Sequence, residues 1–210
     1  MTAATSSCLQ CGTCCRRGGP ALHAADLGLV QDGSILLEAL VCFRPGERVL
    51  DNVQGGLKHL DRDLLKIRGL SEPGPCLHFD QISSSCTIYG HRPLECRILE
   101  CWNTEPMLEV YEQDRLSRTD ILTAGSALAE MAIWHEREFS WALIDRLMTE
   151  NNFLEIIDLA RREWAFRRTL TDRLGIRDIN LWHCFGRPLH LALMPVDARF
   201  RAQSFQGHFS

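Results

Sequence analysis

Cys8-Leu9-Gln10-Cys11-Gly12-Thr13-Cys14-Cys15 is the stretch on which the fold turns. Three of its thiols recur at two-residue intervals, a spacing that lets one turning loop direct successive sulfurs at a common centre. A helix or strand would point them apart. Gly12 permits a positive φ in that loop, and backbone amides brought close by such a turn donate hydrogen bonds to sulfur. The run therefore predicts an irregular metal-binding loop at the start of the chain.

Working outward, Cys76, Cys86, Cys96 and Cys101 fall within one later stretch, and Cys42 and Cys184 stand apart. The N-terminal triplet is similar to the opening of a bacterial ferredoxin run, in which a further cysteine after three intervening residues precedes proline. Here that position is Gly18. A fourth ligand must then be Cys15 or come from far along the sequence, and a distant ligand would tie the N-terminus to the rest of the fold. None of the later four cysteines has two-residue spacing, so taken alone they read as buried structural thiols. Eight clustered thiols favour metal.

The compartment bears on that choice. Met1 to Cys8 contains neither a basic n-region nor an apolar h-region, so a cytoplasmic location is expected. Clustered cysteines in a reducing cytosol more often hold metal than form disulfides. A disulfide-rich exported domain is the alternative, and it requires the sequence to be a processed form. The chain has 210 residues with 45% apolar and 24% charged content, enough for one compact domain or two small ones. No stretch approaches the roughly 18 apolar residues that span a bilayer, so no membrane partner is expected. A net charge of −4 offers phosphate backbones no overall attraction, and nucleic acid is not an expected partner. The P-loop, the glycine-rich dinucleotide fingerprint, the G-x-S-x-G elbow and the radical C-x3-C-x2-C pattern are all missing from the sequence.

The fold class predicted is mainly α, with a loop-rich cysteine-cluster metal-binding unit over residues 1–104 packed on an antiparallel helical hairpin with an irregular tail over 105–210. Turn-forming groups at Arg17-Gly18-Gly19-Pro20, Arg44-Pro45-Gly46, Gly55-Gly56 and Glu72-Pro73-Gly74-Pro75 break up the first part. Helical pieces are expected over Gly33 to Val41 and Leu57 to Ile67, and strands near Val49 and over Cys86 to Tyr89. From about residue 117, Ile121, Ala124, Leu128, Met131, His135, Phe139, Leu143 and Leu147 recur at steps of three and four, predicting one long amphipathic helix. Ser117 with Asp120 resembles a capping box at its start. A second helix should begin at Asn152 with Glu155, carry Phe153, Ile157, Ala160, Trp164, Leu170 and Leu174, and stop at Gly175. The short Glu150 to Asn152 connection implies the hairpin. Ile176 to Ser210 shows little periodicity.

Cys8-x-x-Cys11-Gly12-x-Cys14-Cys15, Gly74-Pro75-Cys76-Leu77, Cys86-x-Ile88-Tyr89 and Arg92-Pro93-x-x-Cys96-Arg97 together resemble the CxxCxxCC cysteine-cluster family, the YkgJ-type zinc- or iron-chelating proteins. The resemblance runs over roughly residues 8 to 101 and implies metal chelation by these cysteines, without an assigned reaction. A related branch includes flagellin lysine N-methylases, which suggests an iron-sulfur cluster as one outlet; the methylation itself does not carry over. Where an aromatic is expected two positions after Arg97, this chain has Leu99.

The candidate metal ligands are thus Cys8, Cys11, Cys14, Cys15, Cys76, Cys86, Cys96 and Cys101. Soft thiolates suit both zinc and iron-sulfur clusters. Structural zinc commonly uses paired C-x2-C knuckles, of which only one half is present, whereas a cubane tolerates irregular spacing. The expectation is therefore an iron-sulfur cluster of the [4Fe-4S] type, with Zn2+ in a structural, interaction or chelating module as the alternative. His78 and His91 stand close enough in sequence to replace one sulfur, but read as ordinary polar residues. Thiolates on a metal leave net negative charge, so Arg92 and Arg97 are expected to flank the cofactor and set its charge, with Arg16 and Arg17 at the surface. Tyr89 reads as a core ring and His135 as a satisfied core histidine. Arg161, Arg162, Arg167, Arg168 and Arg173 interleave with acidic residues and read as a solvated helix face. A metal ion or cluster is the one partner specified; a redox or protein partner is left open, as is any catalytic residue.

Overall fold

Short elements dominate the chain up to residue 121, and longer helices follow. The computed structural model describes residues 8, 10–51, 55–71 and 73–201. Its strands are β1 (Leu40–Phe43), β2 (Arg48–Leu50), β3 (Leu57–His59), β4 (Leu64–Ile67), β5 (Phe79–Asp80) and β6 (Ser85–Cys86). They form three two-stranded sheets, β1 with β4, β2 with β3 and β5 with β6. The helices are α1 (Leu27–Gln31), α2 (Leu94–Ile98), α3 (Glu105–Val110), α4 (Arg118–Ile121), α5 (Ala127–Glu138), α6 (Trp141–Thr149), α7 (Phe153–Leu174), α8 (Trp182–Phe185) and α9 (Leu189–Leu193). The architecture is mainly α, as the sequence predicts. Among the described residues no helix is long and apolar enough to cross a membrane.

The chain forms two units, one from Met1–Val41 and Leu64–Ile121, the other from Cys42–Asp63 and Leu122–Ser210. All eight clustered cysteines lie in the first unit, which continues past residue 104. Cys42 and Cys184 lie in the second.

The first unit is built around Leu22, Leu65 and Leu116, three buried residues from distant stretches of sequence. Leu22 N–H donates to Leu65 O at 2.9 Å, Leu116 N–H to Leu22 O at 2.9 Å, and Leu65 N–H to Leu116 O at 3.3 Å. The helix expected over Gly33 to Val41 is not formed. Gly33, at φ 80°, follows the end of α1, and only a single 3-10 turn at Leu37–Ala39 precedes β1. Its apolar run is explained by strand burial: Leu40, Val41 and Cys42 are all buried, while Leu36 and Leu37 are exposed.

In the second unit, Arg48 pairs with His59 and Leu50 with Leu57 across the β2–β3 hairpin. The strand expected at Val49 is β2. The helix expected over Leu57 to Ile67 is replaced by β3 and, in the first unit, β4, with Leu60-Asp61-Arg62-Asp63 between them. Leu57, Leu60, Leu64 and Ile67 fall at helical steps by coincidence, because Gly55 and Gly56 at φ 79° and 85° turn the chain back on β2.

The single long helix expected from residue 117 is instead three. Ser117 N–H does donate to the Asp120 carboxylate at 2.7 Å, but α4 ends at Ile121. Ser126 Oγ accepts from Ala129 N–H at 3.2 Å, and Ser140 Oγ from Leu143 N–H at 3.3 Å, so each serine restarts a helix as its N-cap. The apolar stripe continues in step across breaks that periodicity does not register. α7 has the predicted bounds: Asn152 Oδ1 accepts from Glu155 N–H at 3.3 Å, and Gly175 closes the helix at φ 65°. Trp141, Ile144 and Leu147 of α6 share a core with Ile156, Leu159 and Ala160 of α7. Leu189, Ala192, Leu193 and Phe200 join it, so the weakly periodic tail supplies core residues up to the described limit. Residues 202–210 of that tail lie outside the described residues.

The basic run on α7 is not a uniform solvated face. Arg162 is exposed and pairs with Asp158 at 2.9 Å, but Arg167 is fully buried. Its guanidinium pairs with Glu163 one turn away and with Asp178 at 3.1 Å, and donates to Phe185 O and Gly186 O, each at 2.9 Å. His135 is a buried core histidine as expected, but only half satisfied: Nε2 lies 3.0 Å from Glu163 Oε1, while Nδ1 is buried with no hydrogen-bond partner among the described residues.

Candidate metal centre

From Gln10 to Cys14 the cysteine loop is irregular, and a 3-10 turn follows at Cys15–Arg17. Arg16 N–H donates to Gly12 O at 3.0 Å and Arg17 N–H to Cys14 O at 3.1 Å, closing the loop on itself. Gly12 has φ 72°, and a Cβ there would sit 2.3 Å from Cε2 of Phe79. The glycine is needed twice over, for its left-handed backbone and for its contact with a buried ring. Arg16 lies over the Phe79 ring, 4.7 Å from its centroid, and donates to Ser84 Oγ at 3.2 Å. Phe79 also pairs with Cys86 across β5–β6. One aromatic side chain therefore organises the loop, the arginine and the hairpin carrying Cys86.

Backbone bonds bring the later cysteines to this loop. Cys76 N–H donates to Cys15 O at 2.8 Å, and Phe79 N–H to Cys76 O at 2.9 Å. Cys96 stands on α2, whose start is fixed by buried charge. Asp26 accepts from Leu94 N–H at 2.7 Å and from His23 N–H at 3.0 Å. Glu95, beside Cys96, accepts from Ala21 N–H at 2.8 Å and faces His23 Nε2 at 3.4 Å. His23 Nδ1 lies 2.7 Å from the Gln113 carbonyl, which can only accept, so both ring nitrogens face acceptors. The Glu95 hydrogen bond accordingly raises the His23 pKa, against the effect of burial.

The thiols sense one another. Burial and the neighbouring Cys14, Cys76 and Cys86 push the Cys15 pKa up to about 12. Burial, Cys76, Cys14 and Cys15 push Cys96 up as well. Burial raises Cys76, with Cys86 and Cys14 adding to it. Cys101 is raised by burial and by Cys14, Cys11 and Cys8. Cys11 alone shifts down, because Thr13 Oγ1 lies 3.2 Å from its sulfur and the Thr13 backbone and Arg16 add to the effect. Every clustered cysteine enters this set of interactions, and Cys14 recurs in each raised member. Gln10 N–H points at Cys8 Sγ at 3.4 Å, a backbone donor to sulfur of the kind the loop predicts.

The set is all sulfur, and its raised members are neutral thiols that would carry negative charge only on losing their protons to a soft cation or an iron-sulfur cluster, the occupants such donors fit. Among the described residues, no three His, Cys, Asp or Glu side chains stand in coordinating geometry, so the sulfurs are gathered without a closed ligand shell. Of the arginines predicted at the centre, Arg92 stacks 3.8 Å over the Tyr89 ring, donates to Tyr89 O at 3.0 Å and reaches Cys96 O at 3.5 Å. Arg97 is half-exposed and turns to buried Asp26 at 3.6 Å. Tyr89 lies in a 3-10 turn just after β6 and is only half-buried. His91 Nδ1 lies 3.5 Å from Ser34 Oγ, while His78 Nε2 is buried with no hydrogen-bond partner among the described residues.

Sequence reading passed over Phe79, His23, Asp26 and Glu95, and left Arg16 at the surface without its contact to Phe79. The His23-Ala24-Ala25-Asp26 spacing is that of a capping box, and the structure forms one, but histidine falls outside the usual N-cap residues. The contact of Phe79 with Gly12 spans 67 residues of sequence and leaves no local signal.

A model of the CxxCxxCC family, described as "Putative zinc- or iron-chelating domain", matches residues 7–118. No curated protein and no solved structure matches the chain. The match spans more than half of the 210 residues and takes in all eight clustered cysteines. With the sequence motifs and the gathered thiols in agreement with it, this chain belongs to the CxxCxxCC family of zinc- or iron-chelating domains.

Proposed function

We propose that the first unit holds an iron-sulfur cluster, of the [4Fe-4S] type, through its clustered cysteines, with Zn2+ as the alternative occupant. The observation that carries this reading is the gathering of clustered cysteines in one unit, where Cys76 N–H donates to Cys15 O at 2.8 Å, Cys86 pairs with Phe79 and the sulfurs of Cys14 and Cys15 lie 4.0 Å apart. Such a cluster, when bound, supplies one-electron transfer. The chain's own part is to give up thiol protons, to donate Gln10 N–H toward sulfur and to offset thiolate charge with nearby guanidinium groups. Arg92 reaches the Cys96 carbonyl and Arg16 lowers Cys11, so these two are the cations assigned to that task. Arg97, paired with Asp26, serves α2 instead. A cluster of cysteines suited to holding metal fits a reducing compartment such as the cytoplasm. The short link between α6 and α7 and their shared core support an antiparallel helical hairpin in the second unit.

Zinc is favoured by one feature, the Cys8-x2-Cys11 knuckle that structural zinc sites use. Protein purified without oxygen and assayed for iron, zinc and acid-labile sulfide separates the two. Iron with sulfide, and a visible band bleached by dithionite, is the expected result. Stoichiometric zinc in colourless protein would select the alternative, and protein free of both metals would overturn the proposal.

A further inference from the structure

Arg44 opens a tight turn of the second unit, closed by Glu47 N–H donating to Arg44 O at 3.0 Å, and its side chain is only 1% exposed. Nη1 is used twice, donating to Phe139 O at 3.0 Å and to Glu136 Oε2 at 3.4 Å. Nε and Nη2 are buried and have no hydrogen-bond partner among the described residues. These two nitrogens share one edge of the guanidinium, so their N–H bonds run side by side towards a common acceptor. Leaving buried donors unpaired is costly, and leaving a buried charge unpaired is costlier.

The acidic groups around the turn do not meet that need. Glu47 accepts from Arg44 N–H at 3.0 Å with one oxygen and pairs with Arg187 at 2.6 Å through the other. Glu163, farther along beside His135, is matched to Arg167. Glu136 is the one carboxylate paired with the Arg44 side chain among the described residues, and it is itself 26% exposed. Trp141 Nε1 is a further buried donor without a partner, on the residue whose Cβ packs against Gly46 of the same turn. All three atoms can only donate, so whatever satisfies them must accept. His135 Nδ1 is no part of this set, because Nε2 of that ring faces Glu163 and leaves Nδ1 as an acceptor.

We propose that the Nε–Nη2 edge of Arg44 binds a small monovalent anion of the halide class, with Trp141 Nε1 as the additional donor beside it. One negative charge matches one guanidinium and removes the cost of burying it alone. The surrounding packing sets the size. A Cβ on Gly186 would stand 2.8 Å from Cys42 O and 3.1 Å from Arg44 Cγ, and one on Gly46 would stand 2.7 Å from Trp141 Cβ. A monatomic ion suits such crowding better than an oxyanion of phosphate size. The bound ion fastens the turn to the end of α5, where Arg44 already holds the Phe139 carbonyl, and it stabilises the folded unit by mass action. The site is independent of the metal reading, which concerns the other unit.

Two measurements on the full chain test this: anomalous diffraction from crystals soaked in bromide, and urea denaturation at constant ionic strength with gluconate exchanged stepwise for chloride. A bromide peak against Arg44 Nε and Nη2 is expected, with a midpoint that rises with chloride and levels off as one site fills. Arg44→Lys keeps the charge but loses the paired donors, and should lose that saturating rise. Arg162→Lys, on the exposed face of α7, should keep it. If Arg44→Lys does not fold, the two wild-type measurements decide. Water at the guanidinium edge with no bromide peak would overturn the proposal, as would a chloride response in Arg44→Lys equal to wild type. A bromide peak with a midpoint indifferent to chloride would mean binding at crystal concentration only, and would overturn it too.

Discussion

Gly12 shows how much of the metal centre depends on a single residue. Its backbone is left-handed and its Cα faces the Phe79 ring, so an added methyl group meets both constraints together. Left-handed backbone alone costs a residue with a Cβ about 1–2 kcal/mol. Gly12→Ala should therefore move the loop off Phe79, and we expect weaker metal retention after gel filtration together with a lower denaturant midpoint. Retention equal to wild type would show that the loop does not need this contact. The thiols and Gly12 are legible in the sequence because spacing and backbone freedom are local properties. Phe79, Arg16 and the His23–Asp26–Glu95 group are not, since each acts through contacts between segments that only the folded chain brings together.

At the level of elements, α7 was legible from end to end because both its signals, the Asn152 cap and the Gly175 stop, are local. The merging of α4, α5 and α6 into one expected helix has the opposite cause. Helical periodicity survives a break when the next helix resumes in phase, and the caps at Ser126 and Ser140 carry no apolar signature. Buried charge was illegible for a related reason: Arg167 and Glu163 look like any surface i, i+4 pair until the segment around Phe185 covers them. That pair gives the second unit an acid sensitivity. Burial lowers the His135 pKa to about 3, outweighing the Glu163 hydrogen bond. Glu163 is held well below the usual carboxylate range, because Arg167 and His135 together outweigh the upward push of burial. Both groups bind protons more tightly in the unfolded chain, so their stabilising contribution is present above pH 6.5 and is lost as pH falls towards 3. Urea denaturation followed through the α7 helix signal should show falling midpoints over that window. Midpoints independent of pH between 6.5 and 3 would contradict the arrangement.

For the whole molecule, the division of cysteines is the clearest link between sequence and function. Eight clustered thiols lie in one unit, while Cys42 and Cys184 are fully buried in the other. The second unit builds its core from α6, α7, α9 and Phe200, with no clustered cysteine in it. The first has few long elements and relies on backbone bonds between distant segments, the kind of fold that bound metal stabilises strongly. X-ray absorption at the edge of the metal in anaerobically purified full-length chain tests this account most directly. It predicts a first shell of sulfur alone, at about 2.3 Å if the metal is zinc. A shell of nitrogen and oxygen at about 2.0–2.2 Å would contradict it.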